Sequence, residues 1–299
     1  MSKWTGWGLL LWFLFFPQAV KTGIVKGLEL GERVLIPSIF PYLVASSILV
    51  KTGALHSLSK KMKIGNLSNP AKEILIPALF CGYPTGARLS ALAYNDGSIT
   101  KKEFTLLFLF ANIPGFGFAV SYLGEIFQNV LLGIFIYLAF LLSSLTLLWH
   151  YARKLPTKQK DKTFRVHINT AEKHKKFSEA LVEAISEGSQ TMVSLLFFVC
   201  FFSSLIFLIK NLPLPENYFP ISASFLEITT GIFLLSQNYP VEVTVFFCGF
   251  SGLSVMFQSL YFDKKHAVNF LRLLLGRTVY GILSVCYFVT LRFLFCGFN

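Results

Sequence analysis

Charge is scarce in this sequence. Asp, Glu, Lys and Arg supply 14% of its 299 residues, and acidic residues number only 15 against 27 basic ones. A soluble domain carries roughly a quarter charged residues, so this chain has too few to cover a water-facing surface. Cysteine is sparse as well. Cys81, Cys200, Cys248, Cys286 and Cys296 form no CxxC pair and stand in or beside apolar segments. A free cysteine there behaves as a small hydrophobe, which argues against a disulfide framework and against a zinc site. The histidines His56, His150, His167, His174 and His266 fall in loops or at helix ends. The apolar segments therefore hold no Ser/His, Cys/His or metal-ligating constellation, and no enzyme is expected.

What the chain has is apolar length. Hydrophobic residues make up 54% of it, phenylalanine alone numbers 33, and the mean hydropathy is +0.61. A bilayer-spanning helix needs about 20 mostly apolar residues. Such stretches lie near 4–20, 34–50, 74–94, 104–123, 129–150, 189–209, 218–236, 243–262 and 268–296. They leave little for a soluble domain, so residues 1–299 read as a single transmembrane domain of all-α class, a polytopic helical bundle in the cytoplasmic membrane. Phe16-Pro17-Gln18-Ala19 offers no small-x-small cleavage site, so 4–20 reads as a retained first helix.

The net charge of +12 is concentrated between these stretches. Lys51, Lys60, Lys61, Lys63 and Lys72 form one cluster, and Lys101/Lys102 and Lys264/Lys265 form smaller ones. The loop 151–177 carries nine more basic residues, from Arg153 to Lys176. No folded basic module accompanies them, so nucleic acid is not an expected partner. The positive-inside rule places all of these clusters in the cytoplasm. That demand is met only if 74–94 enters and leaves on the same side. Cys81-Gly82-Tyr83-Pro84-Thr85-Gly86 supports this by breaking the helix at its middle. The same logic makes 218–236 a hairpin from the outside, giving an N-in, C-out arrangement.

Four interrupted segments carry the functional expectation. At the first, Tyr83, Pro84, Thr85 and Gly86 free backbone N–H groups, and Arg88 follows just inside the next half-helix. Its plain structural reading is a proline kink with Arg88 reaching to the surface. At the second, Asn112, Pro114 and Gly115 imply an unwound stretch with bare carbonyls, or else tight packing through Gly115 and Gly117. At the third, Glu227 stands beside Thr229 and Thr230 as the one carboxylate of its apolar stretch. It could take a proton, hold a coupling cation, touch a solute, or pair with Arg272 or Arg277. At the fourth, Phe250, Ser251, Gly252, Ser254 and Gln258 put a polar stripe on one helix face.

Each half thus offers a spanning helix, an interrupted hairpin and a glycine-broken helix, with the hairpins entering from opposite sides. The reading is two inverted repeats, 30–150 and 178–262, joined by the basic cytoplasmic loop 151–177 and followed by a last helix at 268–296. Paired interrupted segments in matching positions point to a transporter's midplane site. Between the halves, Glu179, Glu183 and Glu187 recur every four residues from Phe177 to Met192. That segment reads as an amphipathic helix whose acidic face is solvated and turned to the basic loop.

The strings GYPTGA, ANIPGFG, LEITTG and GFSGLSVMFQ, in this order, resemble the nucleoside-recognition (Gate) domain family, especially its YlbJ-type sporulation integral membrane proteins. The resemblance covers about 30–292. The fourth string also resembles the broken helix of concentrative nucleoside transporters, with Gly252 where their pattern has asparagine. It implies an inverted-repeat carrier, a sporulating Gram-positive host, and a small dicarboxylate such as dipicolinate as solute. The expectation is a secondary transporter or permease for a small polar, anionic solute, dipicolinate-like or nucleoside-like. The residues named at the four interruptions, Gly117 aside, would bind it, and Glu227 would couple to H⁺ or Na⁺. No cofactor is expected. The partners are the solute and the lipid bilayer, with a homo-oligomer left open. The alternative class is a non-transporting scaffold in a sporulation or envelope complex.

Overall fold

The computed structural model describes residues 4–156, 176–213 and 215–296, and every regular element among them is helical. Most of the basic loop expected at 151–177 lies outside the described residues. Five helices are long and apolar enough to cross a membrane: Pro17–Lys51, Val130–Ala152, Phe177–Ile209, Val241–Phe262 and Phe270–Phe295. In a hydrocarbon core each backbone group must bond within its own segment or find a side chain, which is why helices span and why their breaks need partners.

Two boundaries differ from the sequence reading. The expected 4–20 span is divided into Trp4–Phe15 and a helix beginning at Pro17. Pro17 has no N–H to continue the first helix and restricts Phe16, so it starts a new one at its own first turn. That helix runs to Lys51 through a π-helical turn at Gly31–Leu35, so 34–50 is only its second half. Likewise the acidic segment and 189–209 are one helix, Phe177–Ile209.

Three of the interruptions stand at glycine or proline, and the remaining one stands at Glu227. Residues 74–94 become Asn69–Cys81 and Thr85–Asn95, joined by Gly82-Tyr83-Pro84. Residues 104–123 become Lys101–Phe110, an unwound 111–115, and a helical return to Ile126. A capping box of Thr100 and Glu103 fixes the start of that segment. Residues 218–236 become Phe219–Leu226 and Ile228–Asn238, with Glu227 extended between them. Residues 243–262 break at Ser251, which adopts a left-handed φ of 79° between Val241–Phe250 and Gly252–Phe262.

Helices Pro17–Lys51 and Phe177–Ile209 pack antiparallel through small residues. A Cβ on Gly27 would lie 2.6 Å from Cα of Cys200, and Gly23 abuts Ser204. Without a hydrophobic driving force between apolar helices in lipid, this close approach is what holds them. At one end of the bundle Lys51 meets Glu183, Asn66 donates to the carbonyl of Leu155, and the Ser68 amide donates to Glu103. Lys265 reaches the carbonyls of Tyr94 and Asn95 at the same end. At the other end Tyr239 donates to the carbonyl of Asn217, and Pro220 and Asn238 surround a depression with Ile209 and Lys210. Glu183 and Ile209 are about 39 Å apart along one continuous helix. The base of the first hairpin and the base of the second therefore lie at opposite ends.

Candidate functional site: a cluster joining the four breaks

The break at 111–115 leaves carbonyls in and beside it without helical partners, and neighbouring groups take up several of them. Ser144 Oγ donates to the carbonyl of Phe110 (2.5 Å), and the Tyr83 amide donates to that of Ile113 (2.7 Å). Arg277, only 2% exposed, donates from Nη1 to the carbonyls of Leu109 (3.1 Å) and Asn112 (2.8 Å). Its Nη2 donates to the carbonyl of Gly249 (2.6 Å) and to Ser251 Oγ at the other broken helix. Four of the five guanidinium N–H groups are thus used, and the Tyr280 ring lies 4.7 Å from its Cζ. Each carbonyl end of a half-helix carries partial negative charge. One buried cation serves two such ends, which explains how it is tolerated.

Glu227 shows the converse arrangement. It is 1% exposed, and its Oε1 and Oε2 accept from the amides of Thr229 (2.9 Å) and Thr230 (2.7 Å). It is the N-cap of Ile228–Asn238. A carboxylate at a half-helix N-terminus answers the positive end of the dipole. The ion pair with Arg272 or Arg277 considered from sequence does not form; each deep charge is matched to helix ends.

The tips and breaks then interlock. Gly82, at φ 77°, abuts the amide of Gly115, and a Cβ on Gly115 would stand 2.6 Å from the carbonyl oxygen of Cys81. In the second half a Cβ on Gly252 would stand 3.0 Å from the carbonyl oxygen of Ser224. Asn112 Nδ2 donates to Ser259 Oγ (2.7 Å), tying one broken helix to the other. Tyr122 donates to the carbonyl of Thr229 (2.8 Å), tying the first broken helix to the second hairpin tip. At the centre is a cavity of about 20 Å³. Tyr83, Phe118, Glu227, Thr229, Val255 and Gln258 line it, with Leu35, Ile39, Leu195 and Val199 from the two long helices.

The structure thus brings most of the sequence candidates together. Tyr83, Glu227, Thr229 and Gln258 line the cavity, and Ser254 accepts from Gln258 Nε2 (3.1 Å). Pro84, Thr85, Gly86, Asn112, Pro114 and Gly115 form the first tip and its seat. Thr230, Ser251 and Gly252 form the second. Phe250 stacks on Phe225 and Phe246 and does not line the cavity. Arg88 is also apart from it. Its Nη2 meets Glu187 Oε2 (2.8 Å) in a crevice of about 360 Å³ near the basic end. Lys51 joins it there, bonding Glu183 (2.9 Å) and Glu187 (2.8 Å). The expected solvated acidic face is corrected accordingly: Glu183 and Glu187 pair with cations of the first half, because helix Phe177–Ile209 packs along Pro17–Lys51. Sequence reading missed Arg277 as a member of the cluster, although an arginine within an apolar helix is a signal in its own right. Tyr122 and Ser259 gave no signal. Among the described residues no three His, Cys, Asp or Glu side chains gather to hold a metal ion.

Five long apolar helices, one of them broken, with two hairpins and a second broken helix meeting on a buried polar cluster, define a polytopic helical membrane protein. Over an alignment of 319 residues the chain is 23% identical to the sporulation integral membrane protein YlbJ of Bacillus subtilis (strain 168), covering 92% of this chain and 78% of that protein. No protein-family profile matches the chain, and no solved structure matches it.

Proposed function

We propose that this chain is a secondary transporter, or a passive permease of the same architecture, for a small polar, anionic solute, acting in the cytoplasmic membrane during sporulation. The observation that carries the reading is the convergence of both hairpin tips and both broken helices on one cavity. Hairpin bases at opposite ends fit two inverted repeats whose re-entrant tips meet at the midplane, the arrangement that alternating access requires. The cavity is large enough for about one water and no solute, which fits an occluded conformation in which a tip must move to admit cargo. An anion fits the first tip. Helix Thr85–Asn95 begins with no side-chain cap, and the buried Tyr83 and Thr85 hydroxyls beside it have no protein partner. The positive end of a half-helix with two unengaged hydroxyls suits a carboxylate. The name of the Bacillus relative supports the link to sporulation, and the Gate-family resemblance supports a dicarboxylate of dipicolinate type, with a nucleoside as the other candidate.

Purified protein in liposomes tests this directly. Pyridine-2,6-dicarboxylate is expected to cross under an H⁺ or Na⁺ gradient or passively, and uridine is the comparison. Glu227→Gln should abolish the flux or uncouple it from the ion gradient while insertion remains intact. If folded protein carries neither solute under any gradient, the transport reading fails. A non-transporting scaffold would instead tolerate substitutions at all four breaks.

A further inference from the structure

The crevice at the basic end has an unusual division of exposure. Lys51 and Arg88 are the buried members, with side chains 4% and 13% exposed, whereas the carboxylate between them, Glu187, is 37% exposed. Its Oε1 accepts from Lys51 Nζ and its Oε2 from Arg88 Nη2. The cations come from two different elements, the end of Pro17–Lys51 and the second half-helix of the first hairpin, and the carboxylate comes from a third, Phe177–Ile209. One carboxylate bridging two fixed cations is the geometry in which a protein receives a carboxylate ligand. Lys264 also lines the crevice, so its charged lining is three cations and Glu187, with Glu183 outside the lining as a second partner of Lys51 (2.9 Å).

The crevice also shares its walls with the central cavity. Phe177–Ile209 lends Ser194 to the crevice and Leu195 to the cavity, and Gly252–Phe262 lends Tyr261 to the one and Gln258 to the other. The first hairpin supplies Arg88 to the crevice and Tyr83 to the cavity. Arg88 stands about one helical turn beyond the tip along Thr85–Asn95, so a solute approaching from the basic end would meet it before the tip.

We propose that Lys51 and Arg88 form an anion-binding site at the mouth of the central cavity, that Glu187 fills this site at rest, and that an arriving solute carboxylate displaces it. The inference rests on the transport reading for its cargo, a small dicarboxylate. Displacement also undoes the fastening of the first hairpin to Phe177–Ile209, since the Arg88–Glu187 pair bridges them. Binding at the mouth thereby loosens the element whose tip closes the cavity. A ligand shifts such an equilibrium only through contacts that differ between the two states. Here the differing contact is the pair of cations that Glu187 gives up.

The test is equilibrium binding of pyridine-2,6-dicarboxylate and its neutral diamide to the purified full-length protein and its variants. Glu187→Gln removes the resident competitor without removing a cation, and should tighten dianion binding about tenfold, whereas Lys51→Gln and Arg88→Gln should each weaken it about tenfold or more. The diamide should show none of these changes. Dianion binding to Glu187→Gln that is equal to or weaker than wild type would overturn the proposal, because Glu187 would then be a structural strut. Ser194→Cys, with Cys286 and Cys296 replaced by serine, reads the same crevice with its charges intact. The dianion should slow alkylation of this cysteine several-fold, and an unchanged rate counts against the site. Liposome flux separates this from the transport reading. The binding pattern without flux keeps the site and rejects transport, and flux indifferent to all three charge substitutions keeps transport and rejects the site.

Discussion

Arg277 and Glu227 are the two charges set deepest among the broken helices, and the physics that retains them is the same. A helix that stops inside the bundle leaves carbonyls at one end and amides at the other, and in an apolar surround each must be matched. Arg277 serves the carbonyl ends of two half-helices and Glu227 the amide end of a third. Replacing Arg277 with methionine should therefore leave the carbonyls of Leu109, Asn112 and Gly249 without that donor. At roughly 1–3 kcal/mol for each buried group left unsatisfied, the loss should be about 3 kcal/mol or more. The expected result is a large drop in the thermal midpoint of the detergent-purified protein, with poor recovery in Arg277→Lys, whose single ammonium cannot fork between two helices. Wild-type stability in the lysine variant would show that charge alone suffices. Glu227 was legible in the sequence as a lone carboxylate in an apolar stretch. Its partner set was not, because the groups it satisfies are backbone amides that exist as unmatched donors only once the break has formed.

Glycine and proline made three of the interruptions legible, since few other residues end a helix within an apolar stretch; the third was legible through the lone carboxylate Glu227. Helix lengths were less legible, for a reason visible in particular residues. Lys21, Lys26, Glu29, Glu32 and Arg33 depress the hydropathy of 17–33, and Glu179, Glu183 and Glu187 do the same for 177–188. Both segments are nevertheless helical, and some of the charges find partners there, Lys26 with Glu29 and Lys51 with Glu183 and Glu187. Hydropathy records composition and cannot register pairing. The first hairpin offers a matched comparison of two glycines with the same φ of 77°, Gly82 at its tip and Gly97 at its base. At Gly97 an added Cβ meets nothing within 4 Å, while at Gly82 it runs into the backbone of Gly115. Gly97→Ala should cost about 1 kcal/mol, the conformational term alone. Gly82→Ala adds an overlap with backbone and should cost about 2–4 kcal/mol in all. Thermal midpoints of the two variants check this, and equal losses would mean that tip and break do not interlock as described.

For the whole molecule, the charge pattern and the packing agree through independent physics. The positive-inside rule asks that basic clusters share a compartment. The packing places 51, 66–68, 94–95, 103, 155, 183 and 265 at one end through hydrogen bonds and ion pairs that know nothing of a membrane. Residues 217 and 239 are held together at the other end. If the bilayer lies across this axis, cysteines introduced at Ser68 and Ser98 face the cytoplasm and one at Pro215 faces outward. An impermeant thiol reagent applied to intact cells should label position 215 and spare 68 and 98, and inverted vesicles should give the reverse. Replacing Cys286 and Cys296 with serine removes background labelling near the last helix. Position 160, the natural probe of the basic loop, lies outside the described residues and adds a test from sequence alone. Labelling of 98 and 215 from the same side would break the opposed-hairpin arrangement, and the inverted-repeat reading of this chain would go with it. Labelling of 68 and 98 from the same side is the result that a hairpin entering and leaving at one face requires, because the helices between Ser68 and Ser98 are only 13 and 11 residues long. At about 1.5 Å per residue, neither reaches across a core of about 30 Å.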